Sequence, residues 1–594
     1  MKKLITVLLL AALVLTSAFA YSNQQKIYSV DSGIYKAMET LYIMAGKAMP
    51  SSSGPWSEAE LQLMLARIDR SSLSEAAQKY YDYISAEITS EPKRQYGDNF
   101  AMQFGFEIAI EGYFHTDSDN FTQNEDWFHN YADRQKFLNF TFETWPTDNF
   151  YGYFEFSLAN GIILMDGSGN NELYQNTMSI NIPVMNSLLF LGEDLFNGFD
   201  WSFPKRAFVA AGGEHWSLMA GRDKLSWGGG ETGNMMFSDS FPLHTMVRFN
   251  TFFNAFKYSI VGTVYPFSAA PQGQFTSMDG YKALVAHRLE FNLCKEKVGL
   301  IINEACMFWS NPAIGQDFSI AQINPFGFMH NEYIANNANS LLVFEANYTP
   351  LAGLNIYGQL AVDEFRGPGE PKENPSAFGF LAGVKGAFAA GSGIMTGSLE
   401  FAKTDPYLFL RGLHYYGGPS YGNEKVGYGY DAIYRSFVMG NSVVYSRQFV
   451  TYTYGNDLIL FDGRVNYEKA GIFKVGFEAM YMKHGSMDVS SPWGKYDGSQ
   501  TDETPEVSTP TTYNVFDSND YTIGTAANNY ADGVLIQTHA IEQRIVLSLT
   551  GEYFVDGCFS LNLAADYLII KNKGNVADNN ASDLQLTFGL KYSI

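Results

Sequence analysis

From Phe100 onward, apolar residues fall at every second position, and this spacing recurs segment after segment to the last residue. Phe100, Met102, Phe104, Phe106, Ile108 and Ile110 alternate with Ala101, Gln103, Gly105, Glu107 and Ala109. Successive side chains of a strand point to opposite faces, so this pattern predicts a strand with one oily face. It returns at 138–142, 154–158, 285–293, 354–362, 473–481, 545–549 and 559–569. In 584–594, Leu584, Leu586, Phe588, Leu590, Tyr592 and Ile594 share one face. A tilted strand crosses a bilayer in roughly 9–11 residues, and this segment has that length.

Before residue 97 the period is 3.6. Asp31 is expected to cap a helix over 32–45 with Ile34, Met38, Leu41, Tyr42 and Ala45 on one face and Gly46 at its end. Ser57 with Glu60, and Ser72 with Glu75, have capping-box spacing ahead of two further apolar stripes. Three short amphipathic helices between 31 and 90 can bury one small common core. Earlier still, Lys2 and Lys3 precede an apolar run and the small residues Ser17-Ala18-Phe19-Ala20, the layout of a secretory signal peptide cleaved after about Ala20. No later run reaches the roughly 20 apolar residues that a spanning helix needs. The expected organisation is a signal peptide (1–20), a periplasmic helical bundle or plug (21–96) and an antiparallel transmembrane β-barrel (97–594) in the bacterial outer membrane.

The connections give an independent check, because such barrels pair short periplasmic turns with long outer loops. Reading backwards from the last strand, 571–583 falls outside, the turn at Asp556-Gly557 inside, the long polar stretch 484–535 outside, and the turn at 468–471 inside. All four obey the rule. At about 25–30 residues per strand and its share of loops, 97–594 holds on the order of 16–20 strands.

Composition agrees. Aromatic residues make up 16% while mean hydropathy stays slightly below zero, as expected when half the strand residues meet lipid and half a wet lumen. The formal charge of -23 argues against nucleic-acid binding, which needs clustered cations. Outer-membrane lipid, an anionic glycolipid of the lipopolysaccharide kind and the barrel-insertion machinery are the partners such a location implies. Cys294, Cys306 and Cys558 are too few and too scattered for a disulfide framework or structural zinc, and are read as packing residues.

Candidate chemistry is sparse. Gly228, Gly230 and Gly233 match G-x-G-x-x-G, but 234–250 shows no helical stripe to receive a pyrophosphate, so a tight bend or bulge is the preferred reading. No H-E-x-x-H motif occurs, the one G-x-S-x-G spacing, Gly418 to Gly422, is not read as a strand-to-helix nucleophile elbow, and neither an enzyme, a metal nor a cofactor is expected. A second patch runs from His414-Tyr415-Tyr416-Gly417-Gly418-Pro419-Ser420-Tyr421 through Tyr428 and Tyr430 to Asp431 and Arg435. Its rings interleaved with glycine could stack on sugars, although an interfacial aromatic girdle explains it as well. Asp363, Glu364 and Arg366 read most simply as a solvated strand end.

These segments, taken in order, resemble the capsule assembly Wzi family of outer-membrane proteins. The features that carry the resemblance are the helical lead-in with Pro55-Trp56-Ser57 and Glu60-Leu61; Ala220-Gly221-Arg222-Asp223-Lys224-Leu225-Ser226-Trp227-Gly228; Ile356-Tyr357-Gly358-Gln359 before Asp363-Glu364; and Glu400-Phe401-Ala402 leading to the tyrosine-rich patch. The resemblance implies about 18 strands, a helical bundle at the periplasmic mouth, a plugged lumen, and a lectin-like role in holding extracellular or capsular polysaccharide. On that reading Trp227, Tyr415, Tyr421, Tyr428 and Tyr430 are stacking candidates, with Glu231, Asp363, Glu364 and Arg435 as hydroxyl or charge partners. An acidic polymer would require local cations such as Arg222, Arg248, Arg366 or Arg435, or bridging cations. The alternative is a porin or channel for sugars or other small nutrients.

Overall fold

The computed structural model describes residues 25–89, 94–96, 100–121, 126–129, 133–158, 178–181, 206–266, 280–310, 338–365, 376–410, 413–418, 422–427, 429–439, 442–485, 487–489, 540–555 and 557–594. Its strands are β1 (Phe100–His115), β2 (Leu138–Thr147), β3 (Phe150–Leu158), β4 (Ala207–Gly213), β5 (Trp216–Asp223), β6 (His244–Phe252), β7 (Phe256–Pro266), β8 (Tyr281–Leu293) and β9 (Val298–Ser310). They continue as β10 (Ala338–Leu351), β11 (Leu354–Glu364), β12 (Ala377–Ala390), β13 (Gly393–Thr404), β14 (Leu458–Lys469), β15 (Phe473–His484), β16 (Glu542–Phe554), β17 (Phe559–Lys571) and β18 (Ala581–Ser593). Each pairs antiparallel with the next. β18 returns to β1 with Gln585 opposite His115 and Ser593 opposite Glu107, closing an 18-stranded barrel. Closure removes the edges that could not be satisfied in lipid.

Two-residue alternation determines which face is which. Along β17, Phe559, Leu561, Leu563 and Tyr567 are exposed on the outer wall while Ser560, Asp566, Leu568 and Ile570 are buried within. The oily face of 584–594 likewise points outward, with Phe588 and Leu590 exposed and Gln585 buried. Turns at 148–149, 214–215, 253–255, 294–297, 352–353, 391–392, 470–472 and 555–558 lie at one end, and the long connections lie at the other.

Three helices precede the barrel: α1 (Gly33–Met44), α2 (Glu58–Leu65) and α3 (Glu75–Ile88). Ile34, Met38, Leu41, Leu61, Met64, Ala77, Tyr80 and Ile84 form their common core, and the Tyr42 hydroxyl donates to the Met64 carbonyl at 2.7 Å. Two caps differ from expectation. Ser32, not Asp31, caps α1 by accepting from the Ile34 amide, which frees Asp31 to pair with Lys224 at 2.9 Å. Ser74, not Ser72, caps α3, because 70–72 winds into a separate 3-10 turn. Ser57 does cap α2, but the Glu60 carboxylate turns away to accept from Lys257 on the barrel wall. None of the three cysteines is in a disulfide, and Cys294 stands exposed in the 294–297 turn instead of packing.

The helices close the short-turn end. The Gly353 amide donates to the Ile43 carbonyl at 2.8 Å, Lys47 and Arg67 meet Glu296 at 2.6 and 2.7 Å, and Tyr80 donates to Glu468. From that end the 51–57 segment and the N-terminal half of α1 rise into the lumen, where the stacked rings of Tyr35 and Trp56 lie 3.9 Å apart.

Candidate functional site

The inner wall carries charges that an open lumen would leave wet, yet Arg248, Lys257, Arg288, Glu290 and Glu400 are all at most 3% exposed. The plug and an inward-folded loop are what they hold. Glu290 accepts from the Ser51 hydroxyl at 3.2 Å, the Ser52 amide at 3.1 Å and the Ser53 hydroxyl at 2.5 Å. Arg288 reaches Glu290 at 3.0 Å, Asn303 at 2.7 Å, Glu345 at 2.5 Å and the Ser52 hydroxyl at 2.7 Å. Arg248 donates to the Pro55 carbonyl, so it is a plug anchor and not a contact for an acidic polymer.

A second intruder enters from the long-loop end. In the 224–243 connection, Ser226 and Trp227 pair as a strand with Gly54 and Ser53, and the Gly228 amide donates to the Ser52 carbonyl at 2.9 Å. Plug and loop therefore meet as two strands inside the barrel. Gly228 and Gly233 have φ of 136° and 122°, a region that glycine enters without penalty. The expected bend is present, and β6 follows it where a nucleotide site would need a helix.

Barrel residues from the other matching motifs grip this loop. Glu400 accepts from the Glu231 and Thr232 amides at 2.8 and 2.9 Å and from the Tyr357 hydroxyl at 2.6 Å. Gln359 accepts from the Met235 amide at 2.8 Å and donates to Asn234 at 2.8 Å. Three motifs far apart in sequence converge here, and what they build is the inward fold of the 224–243 loop.

Glu231 is its electrostatic centre. Lys36 of α1 lies 2.6 Å from its carboxylate, Lys385 of β12 lies 2.7 Å away and Arg464 of β14 lies 3.8 Å away, while Glu39 pairs with Lys385 at 2.5 Å. Burial alone would raise the Glu231 carboxyl, but this cage of cations holds it well below the usual carboxylate range. A carboxylate so occupied is a bolt between loop, plug and wall, which corrects its expected role as a sugar partner.

Trp227 and Tyr430 are corrected in the same way. Both are fully buried, Trp227 edge-on to Phe237 with ring centroids 5.0 Å apart, and Tyr430 with its hydroxyl at the Ala305 and Asn339 carbonyls, 2.9 and 3.0 Å away. Neither offers a face to a sugar. Asp363 is 8% exposed and accepts from the Phe409 amide at 2.6 Å, so it fastens the root of the 405–457 connection instead of ending a solvated strand. Lys282 fastens the same root through the Gly429 and Asp431 carbonyls and the Asp431 carboxylate.

Beyond that root the chain forms two hairpins, Leu413–Gly418 with Gly422–Gly427 and Asp431–Met439 with Ser442–Phe449. Tyr415 stands opposite Lys425 in the first, and Arg435 opposite Ser446 in the second. Glu364 ends β11. Tyr421, Tyr428 and Arg366 lie outside the described residues. Sequence reasoning missed Lys36, Glu290, Gln359, Lys385, Glu400 and Arg464 as members of the junction. Gln359 and Glu400 stood in the resemblance motifs without an assigned role, and for Glu290, Lys385 and Arg464 the only signal was a charged side chain at an inward position, which a wet lumen would also explain.

No family model and no curated protein matches the chain. Among solved structures it is similar to Wzi of Escherichia coli, an outer-membrane protein involved in group 1 capsule assembly and a carbohydrate-binding β-barrel. That likeness is at 14% identity and a TM-score of 0.54, over 95% of this chain and 98% of that one. OprD of Pseudomonas aeruginosa matches at 10% identity, TM-score 0.35, over 83% and 95%. The outer-membrane channel DcaP of Acinetobacter baumannii matches at 7%, TM-score 0.34, over 85% and 100%. The chain thus has the fold of an outer-membrane barrel, in an arrangement shared with Wzi across nearly its whole length.

Proposed function

We infer that this protein holds an extracellular or capsular polysaccharide at the bacterial surface, by binding and without catalysis. On this reading the signal peptide is removed after about Ala20, the helices face the periplasm, and the 405–457 hairpins face outward to meet the polymer. The observation that carries it is a barrel filled from both ends by its own chain, a design suited to anchoring and poorly suited to bulk transport. The fold shared with a carbohydrate-binding barrel supports it.

Of the residues first considered, Tyr415, Tyr421 and Tyr428 are the proposed stacking faces, with Arg435 and Glu364 as polar partners. Aromatic faces beside hydroxyl-bonding groups suit sugar rings. With a net charge of -23, an acidic polymer would be met through Arg435 or through bridging divalent cations, and chelation would then release it. The test is retention of the native surface polysaccharide on immobilised, detergent-purified protein. Wild type retains it, and a Tyr415→Ala, Tyr421→Ala, Tyr428→Ala triple variant loses most of it. A wild-type protein that retains none would overturn the reading.

A further inference from the structure

The two intruding segments leave part of the lumen unfilled. A cavity of about 350 Å³ lies between the start of α1 and Gly228–Glu231, with Asn347, Gln359 and Lys385 on its far wall. A larger one of about 870 Å³ runs along the inner faces of β13 to β18 and β1. It reaches Ala470 and Gly471 at the short-turn end and passes beneath His129 and Arg134 at the other. Gly33, Lys36 and Glu231 line both.

These spaces are wet. The Lys36 side chain, deep within the barrel, is still 54% exposed, and polar, roomy cavities of this kind hold water. The Lys36–Glu231 contact at 2.6 Å lies on the lining that the two chambers share, with Lys385 lining the smaller and Arg464 the larger.

The charges along this route favour cations. In the smaller chamber Asp31 is 54% exposed and Asp239 also lines the wall. Burial alone would lower the Lys224 ammonium, but Asp31, Asp239 and Asp133 together raise it. In the larger chamber Glu468, Glu478 and Glu552 keep 31%, 19% and 26% of their side chains exposed around Lys474. Rings of carboxylates admit cations and repel anions.

We propose that the plugged barrel carries a narrow off-axis passage for small inorganic cations, and that the Lys36–Glu231 pair is its gate. The ion pair stands where the two chambers meet, since Lys36 and Glu231 belong to the linings of both. Opening needs no displacement of the helices. It needs Lys36 to swing from Glu231 to Glu39, which already lies 3.2 Å from its ammonium.

The test is conductance of the full-length protein in planar bilayers with potassium chloride. Lys36→Ala and Glu231→Ala are compared with wild type, each verified as folded by heat-modifiable gel mobility. Both variants should carry a cation-selective current severalfold above that of wild type, whether wild type itself shows small steps or none. In Lys36→Cys, a charged methanethiosulfonate reagent should cut the current by most of its amplitude, while wild type with its native cysteines should not respond. Silence of both variants, equal currents in all three proteins, anion selectivity, or a Lys36→Cys current that ignores the reagent would each overturn the proposal. None of these results depends on whether polysaccharide is bound.

Discussion

Replacing Glu290 with Ala should release the 51–54 segment from the barrel wall. Three buried cations, Arg248, Lys257 and Arg288, here face three buried carboxylates, Glu60, Glu290 and Glu345. The substitution removes one carboxylate and leaves a cation without compensation inside the lumen. Breaking a buried pair in this way costs about 3–5 kcal/mol. The lost bonds from Ser51, Ser52 and Ser53 belong to the same interaction and are not added to that figure. At about 1.4 kcal/mol per tenfold, the ratio of docked to released segment falls by roughly two to three and a half orders of magnitude. Hydrogen exchange of the Ser52 to Gly54 amides reads this directly, since those amides are protected only when the segment is docked. Glu290→Gln, which keeps an acceptor but not the charge, should give an intermediate rate. The β8 and β9 amides, paired in the wall from Tyr281 opposite Ser310 to Leu293 opposite Val298, should be unaffected. Unchanged protection at 52–54 in Glu290→Ala would refute the argument that wall charge holds the plug.

Other substitutions probe the same architecture. Burial pushes the Glu58 carboxyl up to about 8 against the opposing pull of Lys26, so docked α2 keeps a proton that a released helix gives up. Stability from this group is whole below the ordinary carboxylate range and is lost as pH rises toward 8, so α2 should melt at lower temperature at pH 9 than at pH 6. Glu58→Gln should flatten that difference in far-UV dichroism, and an equal pH shift in both proteins would count against it. Gly228→Ala places a methyl against Asn234 and Gln359 in a positive-φ conformation and should cost about 1–3 kcal/mol of loop stability. Gly229→Ala, which meets nothing within 4 Å, should melt like wild type, and similar losses at the two positions would refute the geometry. Trp227→Ala should destabilise the plug junction by about 3–5 kcal/mol. The conservative Trp227→Phe should leave polysaccharide retention intact, and a loss there would mean the indole reaches a sugar after all.

Strand positions were legible because the membrane enforces them. Phe559, Leu561 and Leu563 must be apolar whatever fills the lumen, so alternation and turn length suffice to read the wall. Helix existence was legible for a similar reason, but cap positions were not. Asp31 and Ser32, like Ser72 and Ser74, are all residue types that can cap a helix, so residue identity does not choose between them. The junction was hidden for a different reason. Glu290 and Ser51 are separated by 239 residues, and Thr232 and Glu400 by 168. An inward carboxylate reads the same whether it touches water or another segment. The resemblance motifs did point at the right residues, since Tyr357, Gln359 and Glu400 all serve the Gly228–Thr232 bend. Aromatic identity alone suggested that Trp227 and Tyr430 stack on sugars, and only burial shows that they are packing.

The seam between β18 and β1 dictates an order of construction. A hoop that shuts by joining its first and last staves stays open until its final segment arrives, whereas the helical unit lies ahead of the first stave in the chain. Lys36 and Glu39 of α1 meet Glu231 and Lys385, which belong to later parts of the chain, so the plug takes its seat only once those parts are in place. Carried ahead of the ring it will occupy, the plug is at hand when the cylinder shuts and stoppers it from within.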